Sequence, residues 1–289
     1  MGWPGVILTD SGGYQLFSLA SRVKVDERGA VFQSHLDGTT YELTPERAVQ
    51  VQRELGVDIG MVFDVVTGDP SDRSQAAMAA ARTARWAERS KQAAGPEGAT
   101  SFFAIMQGGL FDDLRRENAT TLIDLDFPGY AVGGLSVGEA RDQTMRTAEV
   151  SVGLLPAEKP RYMMGMGTPE DLVALAGWGY DLFDCVVPTR NGRNGTLFTR
   201  SGEIAIRNAR YALDSAPIDE NCRCYTCRNF SRAYLHHLAK RREMLAAVLA
   251  SIHNVHFYQA LMERIRAALA ADDYEQFSAQ FASDYKENS

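Results

Sequence analysis

Short apolar runs alternate with helix-like segments along the first two thirds of the chain. Runs of this length between turn residues are typical of strands that are buried on both faces of a parallel sheet. Helix signals stand between them: Thr44 and Thr168 each precede a proline at the first helical position, and Gly56 supplies a stop. The predicted strands cover residues 5–9, 59–63, 102–106, 130–132, 161–164 and 181–183.

Repeated strand–helix units predict a parallel sheet, either open and doubly wound or closed into a barrel. A doubly wound sheet collects its functional groups at one switch point, whereas a (β/α)8 barrel gathers them from the ends of many strands. Here a polar residue or a glycine follows each of five different strands. The five residues are Asp10, Asp64, Gln107, Gly134 and Asp184. The sequence therefore predicts an α/β fold of the (β/α)8 TIM type. Since we count only six of the eight units, the barrel is expected to be incomplete at the N-terminus.

Two segments are predicted to lie outside the main sheet. Residues 18–43 alternate apolar and polar positions around turn residues at 26–29 and 37–38, which predicts an antiparallel hairpin insertion. A second hairpin, turning at Ser201 and Gly202, precedes a cysteine cluster and helices, the last of which is expected to fray towards residue 289. We expect a barrel body over residues 1–195 and a C-terminal body over residues 196–289 that packs on it.

Composition and charge narrow the class of protein. A chain of 289 residues, 45% of them hydrophobic, can bury one large core. Its apolar runs are too short to cross a bilayer and its first residues lack a signal-peptide pattern, so we expect a cytoplasmic protein without membrane contact. The net charge is −7, but residues 185–245 carry eleven Lys or Arg against five Asp or Glu, which makes this segment +6 and the remainder −13. Such a segment fits a local polyanion contact and, equally, an ordinary solvated surface.

Three of the four cysteines, Cys222, Cys224 and Cys227, fall within six residues. Three thiolates at this spacing suit three corners of a tetrahedral zinc site in a reducing compartment. A redox pair at Cys224 and Cys227 is the alternative, which the third thiolate disfavours. Spacing leaves the fourth ligand open among His236, His237, His253 and His256.

Several segments together resemble the signature of the bacterial tRNA-guanine transglycosylases, also called queuine tRNA-ribosyltransferases. They occur in the family's order from about residue 3 to the last helix, at residues 10–15, 106–109, 133–139, 162–165, 183–195 and in the cysteine cluster with residues 252–254. The resemblance implies a pentosyltransferase of queuosine biosynthesis that replaces guanine at the wobble position of tRNAs with G-U-N anticodons. It also implies a homodimer and one structural zinc per chain, with His253 as the fourth ligand.

The resemblance further implies catalytic and tRNA-binding roles. Asp184 matches the family's nucleophile, which forms a covalent intermediate with tRNA, and Asp10 matches its general acid and base. Arg190 and Arg193 would hold phosphates of the anticodon loop.

Base recognition carries over in the same way. Asp64 would accept hydrogen bonds from the N1–H and N2 amino edge of guanine, while Gln107 and the Gly134 amide would donate to O6. Tyr14 and Met164 would stack on the two faces of the base. The residues implied to bind the base are Tyr14, Asp64, Gln107, Gly134, Leu135, Val137, Glu139 and Met164.

One position departs from the family pattern. Bacterial members typically have Glu-Cys after the base-reading Asp, whereas this chain has Val65 and Val66, which predicts an altered pocket floor. Val137 and Glu139 match the bacterial pattern, so the expected incoming base is 7-aminomethyl-7-deazaguanine (preQ1), with the bulkier queuine as the alternative.

Two other functions compete with this interpretation. A non-catalytic, zinc-stabilised tRNA-binding or partner subunit is disfavoured by the joint presence of Asp10, Asp64, Gln107 and Asp184. A general metal-dependent barrel hydrolase is disfavoured because no second His/Asp cluster has ligand spacing at the strand ends.

Met1 corresponds to an internal position of the family pattern, so we expect a misplaced start or a truncated gene. An open parallel edge favours aggregation, which predicts that the 289-residue chain is poorly soluble or inactive without the upstream segment. An inactive fragment of the enzyme is therefore a further alternative.

Overall fold

The computed structural model describes residues 2–18, 23–34, 36–95 and 98–285. They form two compact units, one of residues 1–165 with 178–183 and one of residues 166–177 with 184–289. The division at residue 195 that the sequence suggested stays a prediction.

The first unit is built on a sheet of six parallel strands. Within this sheet, each strand pairs with the strand of the same sheet that comes next in the sequence. Leu8 lies opposite Ile59 at one edge of the sheet, and Met163 lies opposite Phe183 at the other. This unbroken order has no switch point, so the sheet is the six-stranded part of a (β/α)8 barrel, as predicted. Numbered in chain order, its strands are β1 (Leu8–Thr9), β5 (Ile59–Met61), β6 (Ser101–Met106), β7 (Tyr130–Val132), β8 (Arg161–Met163) and β9 (Leu182–Phe183).

Helices of the first unit follow the strands. Helix α2 begins as its sequence predicts: the Thr44 hydroxyl accepts a hydrogen bond from the Arg47 amide, and Pro45 occupies the first turn. Gly56, with φ of +68°, follows its end. The helices are α1 (Gly13–Ser18), α2 (Pro45–Glu54), α3 (Arg73–Ala94), α4 (Asp112–Asp124) and α5 (Arg141–Val152).

The insertion after the first strand is an antiparallel sheet of three strands, β2 (Val23–Val25), β3 (Ala30–Gln33) and β4 (Thr40–Leu43), separate from the main sheet. It therefore contains two hairpins, while residues 19–22 and 35 of the predicted insertion lie outside the described residues. Trp86 of α3 anchors it: the indole stacks on Phe63 at 4.7 Å and donates to the Glu27 carbonyl.

The second unit holds α6 (Pro169–Trp178) up to Gly177, the hairpin β10 (Thr196–Thr199) and β11 (Gly202–Ala205), and the C-terminal helices. The hairpin turns at Arg200 and Ser201, one position before the predicted pair, and Gly202 already pairs with Thr199. Residues 286–289 of the predicted fraying end lie outside the described residues. The other helices are α7 (Val187–Asn194), α8 (Tyr225–Asn229), α9 (Arg232–Arg241), α10 (Met244–Ala270) and α11 (Tyr274–Asp284).

Across the described part of the chain, no helix combines the length and hydropathy that crossing a bilayer requires.

Candidate active site and metal centre

The polar groups predicted at the strand ends of the first unit include a buried hydrogen-bonded pair. Gln107 follows β6 directly and Asp64 lies three residues after β5. The Gln107 amide nitrogen donates to Asp64 Oδ2 at 2.8 Å, and both side chains are almost fully buried. The side chain of Asn118 in α4 supports the pair by accepting the Gln107 backbone N–H at 3.0 Å. The sequence thus brings an acid and a carboxamide together in a desolvated position.

The environment of Asp64 raises the pKa of its carboxyl to about 7. Burial is the main cause and the nearby charge of Asp10 the second, while the hydrogen bond from Gln107 opposes both. Asp10 itself is exposed, and its Oδ1 accepts the Ser11 amide at 2.7 Å. Two acids in unlike environments are therefore neighbours, an arrangement common at functional sites.

Glycines let the backbone approach this pair closely. A Cβ on Gly13 would lie 1.8 Å from Asp64 Oδ1, and a Cβ on Gly134 would lie 2.3 Å from Gln107 Oε1. Gly134 also has φ of +66°, which side chains rarely adopt. Within the described residues, Gln107 Oε1 has no hydrogen-bond partner. A side chain at either glycine would fill the space around the acid and the carboxamide.

The loop after β7 is closed by Glu139. Its carboxylate accepts the amides of Ser136 and Val137 at 2.5 and 3.0 Å and the Thr144 hydroxyl at 2.7 Å. Burial opposes ionisation of Glu139, but these hydrogen bonds outweigh it and lower the pKa of the carboxyl. Leu135 in the same loop is buried. The loop therefore presents a fixed anion beside Val137.

Tyr14 and Met164 differ in exposure. Tyr14, in α1, is 51% exposed, whereas Met164, directly after β8, is partly buried. Their stacking on a base stays a prediction. Val65, which replaces a family residue, packs against the core of Phe63 and Trp86.

The second unit carries the other predicted catalytic segment. Asp184 is exposed and follows β9 directly in the chain, three residues before α7 begins. Arg190 and Arg193 are both exposed on α7, which ends at Gly195 in the left-handed conformation. This helix thus presents two cations close in sequence to the acid.

The four predicted metal ligands converge in the second unit. Ligand atoms of Cys222, Cys224, Cys227 and His253 lie within 4.8 Å of one another. The distances from His253 Nδ1 to the three sulfurs are 3.7, 3.6 and 3.3 Å. With zinc bonds of about 2.3 Å to sulfur and about 2.05 Å to nitrogen, a tetrahedron has edges of about 3.5 Å between these atoms. Donor set and spacing therefore fit one zinc ion, and four protein ligands make the site structural.

Residues next to the Cys3His cluster form hydrogen bonds and packing contacts with α7 and with the hairpin that follows it. His253 Nε2 donates to the Phe198 carbonyl at 2.7 Å, which orients the ring for binding through Nδ1. The neighbouring Asn254 donates to the carbonyls of Pro188 and Thr196 at 2.9 and 3.0 Å. At the same helix pair, a Cβ on Gly192 would lie 3.0 Å from the Ser251 amide. The metal-binding segment of α10 thus holds the helix that carries the two arginines.

Two supporting residues were missed in the sequence, Arg115 and Asn118 of α4. A signal was present, because residues 115, 118, 119 and 122 share one face of the helix and that face is buried. A charged residue on an apolar helical stripe is uncommon unless it has a specific partner.

The parallel sheet, the polar groups at its strand ends and the Cys3His centre define a zinc-stabilised α/β protein of the barrel type. A family model described as "Queuine tRNA-ribosyltransferase" matches residues 1–287. Proteins of that name are similar to this chain: one from Thiobacillus denitrificans is 52% identical over 97% of the chain, one from Symbiobacterium thermophilum 51% over 97%, and one from Caldanaerobacter subterraneus subsp. tengcongensis 49% over 100%.

The chain belongs to the queuine tRNA-ribosyltransferase family. Its alignments cover 76%, 70% and 77% of the lengths of these three relatives. Membership confirms the resemblance found in the sequence and the predicted enzyme class, a tRNA-guanine transglycosylase. The Cys3His centre agrees with the structural zinc that the resemblance implies.

Proposed function

We propose that the chain replaces guanine at the wobble position of tRNAs with G-U-N anticodons by preQ1, through two successive displacements at the ribose. The observation that carries the proposal is the buried pair of Asp64 and Gln107, beside Gly134 and close to a second acid. An ionised carboxylate at this position accepts from both the N1–H and the N2 amino group of guanine, an edge that adenine lacks.

The carboxamide of Gln107 supports the same orientation of the base. One of its N–H groups is donated to Asp64, which leaves the second for an acceptor such as O6. The Gly134 amide is the other donor that we assign to O6. A base that offers a donor edge to Asp64 and an acceptor to Gln107 thereby satisfies groups that are costly to leave unpaired.

In the first displacement, a carboxylate oxygen of Asp184 forms a bond to C1′ while the bond from C1′ to N9 of guanine breaks. The leaving base takes a proton from Asp10, which becomes a carboxylate. Hydrogen bonds donated to O6 by Gln107 and the Gly134 amide stabilise the negative charge that develops on the departing base.

In the second displacement, N9 of the incoming base attacks C1′ from the vacated face and expels the Asp184 carboxylate. Asp10 accepts the N9 proton and returns to its starting state. Two inversions restore the original configuration at C1′. The order of events predicts ping-pong kinetics.

Charge on the second unit supports tRNA binding near Asp184. The exposed Arg190 and Arg193 lie on one short helix, within the segment of net charge +6. Guanidinium groups bind phosphates through two parallel hydrogen bonds. Zinc, when bound, fixes the fold of the C-terminal helices and takes no part in the bond changes.

The assignment of preQ1 rests on the loop after β7. Glu139 is held as an anion by the Ser136 and Val137 amides, and the aminomethyl group of preQ1 is a cation. The bulkier queuine is the alternative substituent, and competition between the two bases for one tRNA separates these cases.

We further propose a homodimer in the cytoplasm, where its thiolates stay reduced. Apolar side chains are exposed along one side of α10, and such a stripe on a helix favours burial against a partner. They are Met244, Leu245, Val248, Ile252 and Val255. Sedimentation of the Val248→Glu variant as a monomer, with the unaltered chain as a dimer, is the expected result.

The direct test is exchange of labelled guanine into unmodified tRNA with a G-U-N anticodon, with and without preQ1. We expect the label to enter the tRNA and preQ1 to compete with it. An extended form of the chain in the same assay tests the sequence prediction that activity needs an upstream segment. The exposed Glu158→Gln variant is the matched control for Asp184→Asn.

Retention of tRNA binding without exchange in either form would contradict the proposal and favour the non-catalytic tRNA-binding subunit. Exchange that persists in the Asp184→Asn variant would support the proposed activity but would show that Asp184 is not the nucleophile.

A further inference from the structure

A buried arginine stands behind the two loops that we assign to the base. Arg115 of α4 is 0% exposed, and in the described residues it forms no ion pair with a carboxylate. Burial lowers the pKa of its guanidinium to about 10, so the group is still charged at neutral pH. A buried charge that no carboxylate contacts directly is unfavourable for the fold, even with the charges of Glu139 and Asp112 acting on it from further away.

The hydrogen bonds of Arg115 join both loops. Its Nε donates to the Gly109 carbonyl at 2.8 Å and its Nη2 to the Gly133 carbonyl at 3.2 Å. The first carbonyl belongs to the loop after β6, which begins with Gln107, and the second to the loop after β7. A Cβ on Gly108 would lie 2.8 Å from the Arg115 backbone nitrogen and from Cγ, so glycine is required for this approach.

The bond to Gly133 has a consequence for the next residue. The Gly133 carbonyl and the Gly134 N–H belong to one planar trans peptide unit, in which the two groups point in opposite directions. Holding the carbonyl towards Arg115 therefore directs the Gly134 N–H away from α4. Gly134 has φ of +66° and no side chain to restrict this unit, so an external constraint decides its orientation.

We propose that Arg115 is a positioning residue that aims the Gly134 N–H at O6 of the base and so sets the preference for 6-oxopurines. This rests on the proposed function, because it uses the base position assigned there. Arg115 does not touch the base. It acts through the peptide unit of Gly133 and Gly134.

The test compares two bases that differ at position 6 and, as a consequence, in the proton on N1. The N1 difference faces Asp64 in every variant, so a change in preference between variants reports the contact at position 6. Guanine carries O6, whereas 2-aminopurine carries a hydrogen there and is fluorescent, so its binding and its displacement by guanine are measured directly without turnover. The variants are Arg115→Met, which keeps the apolar stem and removes every donor, and Arg115→Lys, which reaches one carbonyl only. Arg116→Met, the exposed neighbour on the same helix, is the matched control.

We expect Arg115→Met to reduce the preference for guanine over 2-aminopurine about tenfold, because one aligned hydrogen bond to O6 is lost. Arg115→Lys should show a smaller reduction and the control none. Zinc content and the thermal midpoint check that each variant is folded.

Equal weakening of both bases in Arg115→Met would overturn the inference, since it would show general disorder of the pocket. Absence of base binding by the unaltered chain would overturn it as well. Base binding without exchange into tRNA would contradict only the proposed function.

Discussion

Replacing Asp64 by asparagine should make the protein more stable and less active. The carboxyl of Asp64 is 3% exposed and has a pKa raised to about 7 by burial and by the charge of Asp10. Asparagine has nearly the same shape and keeps an oxygen that accepts the hydrogen bond from Gln107. The change therefore removes a buried charge while it preserves the packing.

The size of the effect follows from proton linkage. In the unfolded chain this carboxyl ionises near its ordinary pKa of 3.8, whereas in the folded protein it does so near 7. Between these values the folded state binds more protons, so the free energy of unfolding of the unaltered chain falls as pH rises. The full difference is about 4 kcal/mol, of which about 2 kcal/mol lies between pH 5 and pH 7. The free energy of unfolding of the asparagine variant does not fall in this way, because asparagine does not ionise.

The assay is urea unfolding of the Asp64→Asn variant and the unaltered chain at several pH values from about 5 to about 8. We expect the variant's advantage in unfolding free energy to grow by about 3 kcal/mol over that range and to level off above it. Glu88→Gln, an exposed change on α3, is the control and should show no such growth. Base exchange by the asparagine variant should be lost, because a carboxamide cannot accept from two donors of guanine through two anionic oxygens.

A difference between variant and unaltered chain that stays constant with pH would refute this reasoning. It would mean that Asp64 ionises in the folded protein as it does in the unfolded chain.

Three further changes test the other parts of the account. Cys224→Ser should abolish the tightly held zinc, about one per chain, in metal analysis, whereas Cys185→Ser outside the cluster should retain it. Asp184→Asn should bind tRNA but form no denaturation-resistant adduct on a gel, and an adduct with this variant would reassign the nucleophile. Arg193→Gln should lower the salt dependence of tRNA binding by about one released counterion, while the exposed Arg266→Gln on α10 leaves the slope unchanged.

Much of the fold was predictable because its signals are local. Apolar runs bounded by turn residues gave all six strands of the main sheet, and the Thr-Pro pairs gave the starts of α2 and α6. The insertion was only partly predicted, since its second hairpin depends on pairing with β3. Register and packing of this kind depend on long-range contacts that periodicity does not contain.

The parts of the candidate site that could be predicted are those whose functional residues lie close together in the sequence. The three cysteines indicated zinc by spacing, whereas spacing left four histidines open and the resemblance pointed to His253, which the structure places beside the sulfurs. Arg115 and Asn118 were missed because their partners are backbone groups outside their own helix, which periodicity along the helix does not reveal. The raised pKa of Asp64 likewise depends on burial and on a neighbour 54 positions away.

The central claim is that this protein exchanges the wobble base of tRNA. Its most direct test is mass spectrometry of the wobble nucleoside after incubation of the chain, or of its extended form, with preQ1 and a tRNA that carries a G-U-N anticodon. The account predicts the 7-aminomethyl-7-deazaguanosine nucleoside at that position only, and its absence with the Asp184→Asn variant. Unmodified guanosine at the wobble position with both forms, in protein that retains zinc and binds the tRNA, would contradict it.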